Sequence, residues 1–191
     1  MKEAYHFTKP PQAHHNWCSS IWSISIPPSK SFVTWRLFNN RIPTDENLKT
    51  RGMALASICN LCWSNEESST HLFFNCNFAN SIWNWLSTQF GYYLDNASLQ
   101  SLMSFSTQWS PQLKQVLVAG IINSISIIWH RRNKARFDNL SISFAQAIAK
   151  IKLDTSFTGN FSKLCARPSL LEFSILKAFH VHCNYSKTLQ F

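Results

Sequence analysis

Between residues 59 and 76 the chain reads Cys-x2-Cys-x8-His-x4-Cys, with Cys59, Cys62, His71 and Cys76 at the fixed positions. No other feature constrains the fold as strongly. Two cysteines separated by two residues can turn back on a single ion, and a His/Cys pair nearby completes the four donors that tetrahedral zinc requires. Four protein donors close the coordination sphere, whereas a catalytic zinc keeps a position open for water. The motif therefore points to structural Zn2+. The competing reading is three buried cysteines and a core histidine, and the ligand-like spacing of both pairs argues against it. Cys76 abuts a helix expected to begin near Asn77 as its N-cap, whose free amides favour an anionic sulfur.

The rest of the chain must supply a scaffold for that loop. Hydrophobic residues make up 45% of the 191, with eight Trp and fifteen Phe. Such a composition buries a core and excludes a disordered chain. Helical spacing recurs along most of it. Trp17, Ile21 and Trp22 precede a break at Pro27-Pro28. Ser31–Asn39 is expected to be a short helix with Phe32, Trp35 and Phe38 or Leu37 on one face. Thr44 is the expected N-cap of the next helix, with Asp45 and Glu46 in its first turn, Arg51 closing it and Gly52 as left-handed cap. After the Cys/His loop, Phe78, Ile82, Trp85 and Leu86 mark a helix ended by Gly91. Residues 91–109 are less regular. Ser110-Pro111 is a cap followed by proline at the first helical position. From there Leu113, Val116, Leu117, Ile121, Ile125 and Ile128 keep one face as far as Phe137. Phe144, Ala147, Ile148 and Ile151 announce a further helix. Beyond residue 159 only the alternation Phe179-His180-Val181-His182 stands out, weakly strand-like.

The expected fold is mainly α: a small helical domain organised around one zinc loop, then a long helix and a weakly structured tail. The corresponding segments are a lead-in at 1–28, the zinc module at 29–92, a helical region at 93–158 and the tail at 159–191. The apolar stretch Val116–Trp129 is interrupted by Gly120, Asn123, Ser124 and Ser126 and reads as too short and polar to span a bilayer. The polar N-terminus lacks the apolar core of a signal peptide. An intracellular, reducing compartment follows, nucleus or cytoplasm alike, where clustered thiols bind metal rather than oxidise.

Lys and Arg outnumber Asp and Glu by 18 to 9, giving +9 and attraction to polyanions. Lys30, Arg36, Arg41, Lys49 and Arg51 precede the zinc loop and are the candidate contacts to RNA or DNA phosphates, with Trp35 and Trp63 as stacking surfaces. Arg131, Arg132, Lys134 and Arg136 form a second run, which also reads as the polar end of a helix. Glu67, four residues before His71, is either a carboxylate that orients the imidazole or a solvated loop residue. His180, His182 and Cys183 read as surface side chains, and Cys18 and Cys165 as small apolar fillers. The nine acids are scattered, with no adjacent Asp pair, and no P-loop, Gly-x-Ser-x-Gly or His-Glu-x-x-His occurs. A non-catalytic module is expected.

Several of these residues together resemble the zinc-binding domain of plant reverse transcriptases from non-LTR, LINE-type retroelements. The resemblance runs through Trp35, Arg41-Ile42-Pro43-Thr44, Leu48 and Arg51-Gly52, then Cys59-x2-Cys62, Glu67-Ser68-x2-His71-Leu72-Phe73-Phe74-x-Cys76 and Ile82-Trp83. Lys2-Glu3-Ala4-Tyr5, Trp17, Ile21-Trp22, Pro27-Pro28 and Ile128-Trp129-x2-Arg132-Asn133 with Phe137 fit the same family, so residues 1–140 are covered. The resemblance implies a module that follows the polymerase in a polyprotein, precedes a ribonuclease H domain and contacts nucleic acid or those partners. The polymerase Asp-Asp site and the ribonuclease H acids are not in this sequence, so a fragment without enzymatic activity is expected. The alternative is a structural or protein-interaction domain whose Trp-rich faces pack against the polymerase, with no nucleic-acid binding of its own.

Overall fold

The computed structural model describes residues 18–185. His14, His15 and Trp17 lie outside the described residues, as does the side chain of Cys18. The elements are α1 (Cys18–Ile21), α2 (Pro28–Phe38), α3 (Asp45–Lys49), a π-helical turn (His71–Asn75), α4 (Asn77–Phe90), α5 (Leu99–Ser104), a 3₁₀ turn (Phe105–Gln108), α6 (Pro111–Phe137), α7 (Phe144–Asn160) and α8 (Leu170–Ala178). No strand occurs among the described residues; an isolated bridge joins Ala166 to Tyr185. The mainly helical expectation holds.

The long helix α6 is the axis of the molecule. Ser110 caps it by accepting from the Leu113 amide, and Pro111 takes the first position, where its missing N–H costs nothing. Between Leu113 and Ile128 nearly every side chain is buried, so the apolar surface runs all round rather than along the one predicted face. The other helices explain this: α2, α4, α5, α7 and α8 all pack on α6, α7 most extensively. By length and composition the 27-residue helix could cross a membrane, which corrects the shorter, more polar segment expected from sequence. In the fold, however, 72% of its apolar window is buried against protein.

Two close contacts fix the helix pair. A Cβ on Gly159 of α7 would stand 2.5 Å from Val181 Cγ2 and 3.1 Å from Val116 Cγ2, so only glycine lets α7, α6 and the C-terminal segment meet there. One turn earlier on the same face of α7, Asn123 of α6 donates to Thr155 Oγ1 (3.0 Å) and accepts from Lys30 Nζ (2.8 Å), which also pairs with Asp154 (2.5 Å). These bonds pair Asn123, Thr155, Lys30 and Asp154 at the α2–α6–α7 junction, while Ser31 Oγ of α2 is buried there without a hydrogen-bond partner.

Other expectations shift by a few residues for local reasons. Pro28 does not stop a helix but starts α2, which therefore begins three residues before Ser31. Its buried face is Ser31, Thr34 and Leu37, and the helix packs on α6. Phe32 is exposed and stacks on Trp35, 5.7 Å between centroids, while Trp35 packs partly against the core. Thr44 occupies the cap position of α3 but its hydroxyl meets Ser69 Oγ (3.3 Å), so it makes no capping bond. Gly52 and Gly91 take the predicted left-handed conformation, with φ of +88° and +68°. The aperiodic segment after residue 159 folds back onto the core: α8 contributes Ile175 and Leu176, and the next residues bury Phe179 and Val181 while His180 and His182 face solvent. The predicted alternation is thus real in burial, although the backbone pairs only at one bridge.

Candidate metal centre

Each half of the Cys/His motif has its own backbone device. In the first, Cys59, Asn60, Leu61 and Cys62 form a tight knuckle closed by Trp63 N–H donating to Cys59 O (2.8 Å) and Cys59 N–H donating to Asn65 O (2.7 Å). The amides of Leu61 and Cys62 point at the Cys59 sulfur. In the second, the π-helical turn closes with Cys76 N–H donating to His71 O (2.7 Å). A π turn closes an i→i+5 hydrogen bond where an α-helix closes i→i+4, so its turn is wider. The His-x4-Cys spacing therefore stacks Cys76 over His71, which an α-helix would rotate apart. Trp83 Nε1 donates to Phe73 O (2.8 Å) and locks this turn to α4. Cys76 itself, one residue earlier than predicted, is the N-cap of α4, and the Phe78 amide points at its sulfur.

These devices bring the four donors together: their ligating atoms all lie within 4.8 Å of one another. Cys59 Sγ is 3.9 Å from Cys76 Sγ, and Cys62 Sγ is 3.3 Å from His71 Nε2. A tetrahedral ion with Zn–S near 2.3 Å and Zn–N near 2.05 Å sets those edges at about 3.8 and about 3.6 Å. The residues fit zinc. Three sulfurs and one imidazole leave no protein-free position, so Zn2+ here is a structural staple. Cys59 donates to Cys76, a contact that together with burial pushes the Cys59 thiol up; the same hydrogen bond draws Cys76 down. Burial also lowers His71, against a smaller opposing pull from Glu67, which keeps the imidazole in its neutral, ligating form.

Glu67 is neither of the two things the sequence suggested. It is 1% exposed, not solvated, and its carboxylate faces Arg132 rather than the imidazole. Arg132 donates from Nε to Oε2 (2.8 Å) and from Nη2 to Oε1 (2.6 Å). Asp45 lies alongside, 3.7 Å from Arg132 Nη2, hydrogen-bonded to Arg136 Nη1, with its own amide donating to Glu67 Oε1 (3.2 Å). The Arg132 guanidinium further rests against Trp129, 4.8 Å from the ring centroid. This buried network clamps α3, the zinc loop and the end of α6 into one unit. Sequence reading missed it, although a signal existed: Arg132 falls where the run Leu117, Ile121, Ile125, Ile128 places the next buried position.

The candidate phosphate contacts do not converge on one function. Lys30 is committed to Asp154 and Asn123, and Lys49 pairs with Glu66 (3.4 Å). Arg36 lies over the Phe32 ring, while Arg41 and Arg51 are exposed. In the second run, Arg131 sits 3.6 Å over Phe78, Arg132 and Arg136 belong to the clamp, and Lys134 pairs with Asp138. Among the described residues the Cys59–Cys76 cluster is the one grouping able to hold a metal; His180, His182 and Cys183 do not form a second. Asp154 is held by lysines, and Glu172 accepts the Ser110 and Arg167 amides.

A knuckle and a π turn presenting Cys3His donors on a helical scaffold define a small protein module with a structural zinc site. Residues 1–83 match the family model described as zinc-binding in reverse transcriptase. That domain is a zinc-binding accessory, distinct from the catalytic polymerase domain. No curated protein and no solved structure matches the chain.

Proposed function

We propose that this chain is the zinc-stapled accessory module of a LINE-type plant retroelement reverse transcriptase, and that it contacts RNA or DNA through its phosphates. Its chemistry is recognition, not catalysis; polymerase and ribonuclease H activity come from other segments of a parent polyprotein. Free thiols at the zinc site fit a reducing, intracellular setting. The observation that carries the reading is the charge left over once internal pairing is complete. Every described carboxylate side chain is occupied by a hydrogen bond or ion pair. Arg41 and Arg51, which bracket α3, are exposed and make no ion pair among the described residues, in a chain of net charge +9. Unpaired cations of this kind release counterions from a nucleic-acid backbone, so binding weakens with salt.

The test is retention of single-stranded RNA and DNA by the zinc-loaded chain across a salt series. Arg41→Ala and Arg51→Ala each lower the salt slope by about 1 if each contacts a phosphate. Absence of binding at low salt refutes the reading.

A second reading, a protein-docking module, has its own support. The outer side of α7 and the residues after it expose Leu153, Phe157, Phe161 and Leu164 at three- to four-residue spacing. That apolar stripe, rather than a Trp-rich face, is what a partner domain would cover. Phe157→Glu separates the two: it abolishes association with the polymerase segment on the second reading and leaves nucleic-acid binding unchanged on the first.

A further inference from the structure

Of the two tryptophans the sequence offers for stacking, the tertiary structure withdraws one and presents the other. Trp35 is half-buried and already stacked on Phe32. Trp63 is 64% exposed, with no aromatic or cationic partner among the described residues. It follows the zinc ligand Cys62 directly, so its backbone is held by the knuckle, and its φ is +57°. A bulky side chain is an outlier in that left-handed region, which glycine adopts freely. The fold thus tolerates an unfavourable residue in order to hold a large flat ring in solvent.

Beside that ring lies a cleft of about 200 Å³ between the zinc knuckle and the end of α6. Its walls include Asn60 and Trp63 from the knuckle, Arg131 from α6, and Asn139 and Ser141 from the following loop. No carboxylate lines it. Arg131 is pre-positioned by its contact with Phe78. The volume is below that of a typical drug-sized pocket, so it suits one planar fragment. The amide and hydroxyl groups can donate to and accept from the edge of such a fragment, and the arginine favours an adjoining phosphate.

We infer that this cleft receives one unpaired nucleobase of a single-stranded nucleic acid, stacked on Trp63, with the adjoining phosphate against Arg131. The inference rests on the nucleic-acid reading above and assigns it a place: the knuckle side of the zinc loop. The base is unpaired because its edge must be free and its face must reach an indole. Base identity is not selected by stacking, since every base has a π face.

The experiment uses the full zinc-loaded chain and a fluorescent oligodeoxythymidine of about ten nucleotides, read by anisotropy across a salt series, with zinc content measured for each variant. Trp63→Ala and Trp63→Gly should weaken binding by about 5- to 150-fold, the range measured for loss of one stacked base. The salt slope should stay that of the parent, because stacking releases no counterion. Trp63→Phe should retain most of the affinity. Trp63→Gly should at the same time raise the thermal midpoint, since glycine relieves the left-handed strain; loss of binding in a more stable protein separates ligand contact from misfolding. A duplex of equal length should compete poorly. Unchanged affinity in Trp63→Ala with zinc retained, or equal competition by the duplex, overturns this site while leaving the broader nucleic-acid reading intact. Failure of the parent chain to bind any oligonucleotide overturns both.

Discussion

Replacing Arg132 with methionine isolates the buried clamp. The substitution keeps the length and much of the apolar contact with Trp129 but removes both donors to Glu67, which stand at 2.8 and 2.6 Å. Arg132 and Glu67 side chains are 3% and 0% exposed, so water cannot replace the lost partner. Removing one member of such a pair costs about 3–5 kcal/mol, most of it the cost of an uncompensated buried charge. Arg136 remains 3.8 Å from Glu67 Oε1, which places the expected loss at the lower end, about 3 kcal/mol. Against a domain stability of about 5–15 kcal/mol this is large. Urea unfolding at saturating zinc should show the midpoint falling by about 1–3 M, for a slope of about 1–3 kcal/mol per molar. Because Glu67 sits in the loop between Cys62 and His71, zinc affinity should fall too. Glu67→Met combined with Arg132→Met leaves Asp45 and Arg136 to pair with each other, and should recover part of the loss, because a well-packed apolar pair can replace a buried ion pair. A single variant costing under about 1 kcal/mol, or a double variant whose cost is the plain sum of the two singles, would refute the clamp as the element joining zinc loop to scaffold.

Three further outcomes are expected. His71→Ala removes one of four ligands and should drop bound zinc well below one ion per chain, with loss of helix signal from the start of α4; native mass spectrometry showing a full zinc complement would contradict the site. Acidification should release zinc and destabilise the fold together: His71 lies below its ordinary 6.5, so the unfolded chain takes up its proton first, and stability present above that value is lost as pH falls toward the folded one. A chelating dye that finds no release between pH 7.5 and about 5 would count against this sign. Gly159→Ala should cost about 1–3 kcal/mol by overpacking against Val181 and Val116; an unchanged thermal midpoint would show that α7 can move away from α6.

Much of the fold was legible because its signals are local. Ser110-Pro111, Gly52 and Gly91 carry their conformations in their own covalent structure, and the structure places helix boundaries at or near each of them. Pro28 misled because proline is equally compatible with ending one helix and beginning another. In α2 the spacing marks a stripe but not its orientation: Leu37 is buried, Trp35 and Phe38 pack partly against the core, and Phe32 stays exposed. In α8 the apolar residues occur on both exposed and buried sides, so no period distinguished Ile175 and Leu176 from Leu170 and Phe173.

The sequence by itself determined the metal centre, since ligand identity and the two short spacings suffice to encircle one ion. It also set the net charge of +9. Only the tertiary structure decided which charges remain available. Asp45 and Glu67 are far in sequence from Arg132 and Arg136, and nothing in their spacing foretells that burial makes them neutralise one another. Lys30 is likewise held by Asp154 in a largely buried pair, whereas Lys49 meets Glu66 at the surface. Long-range packing sets which ion pairs form, because a charge taken from water must find a partner wherever the fold brings one within reach.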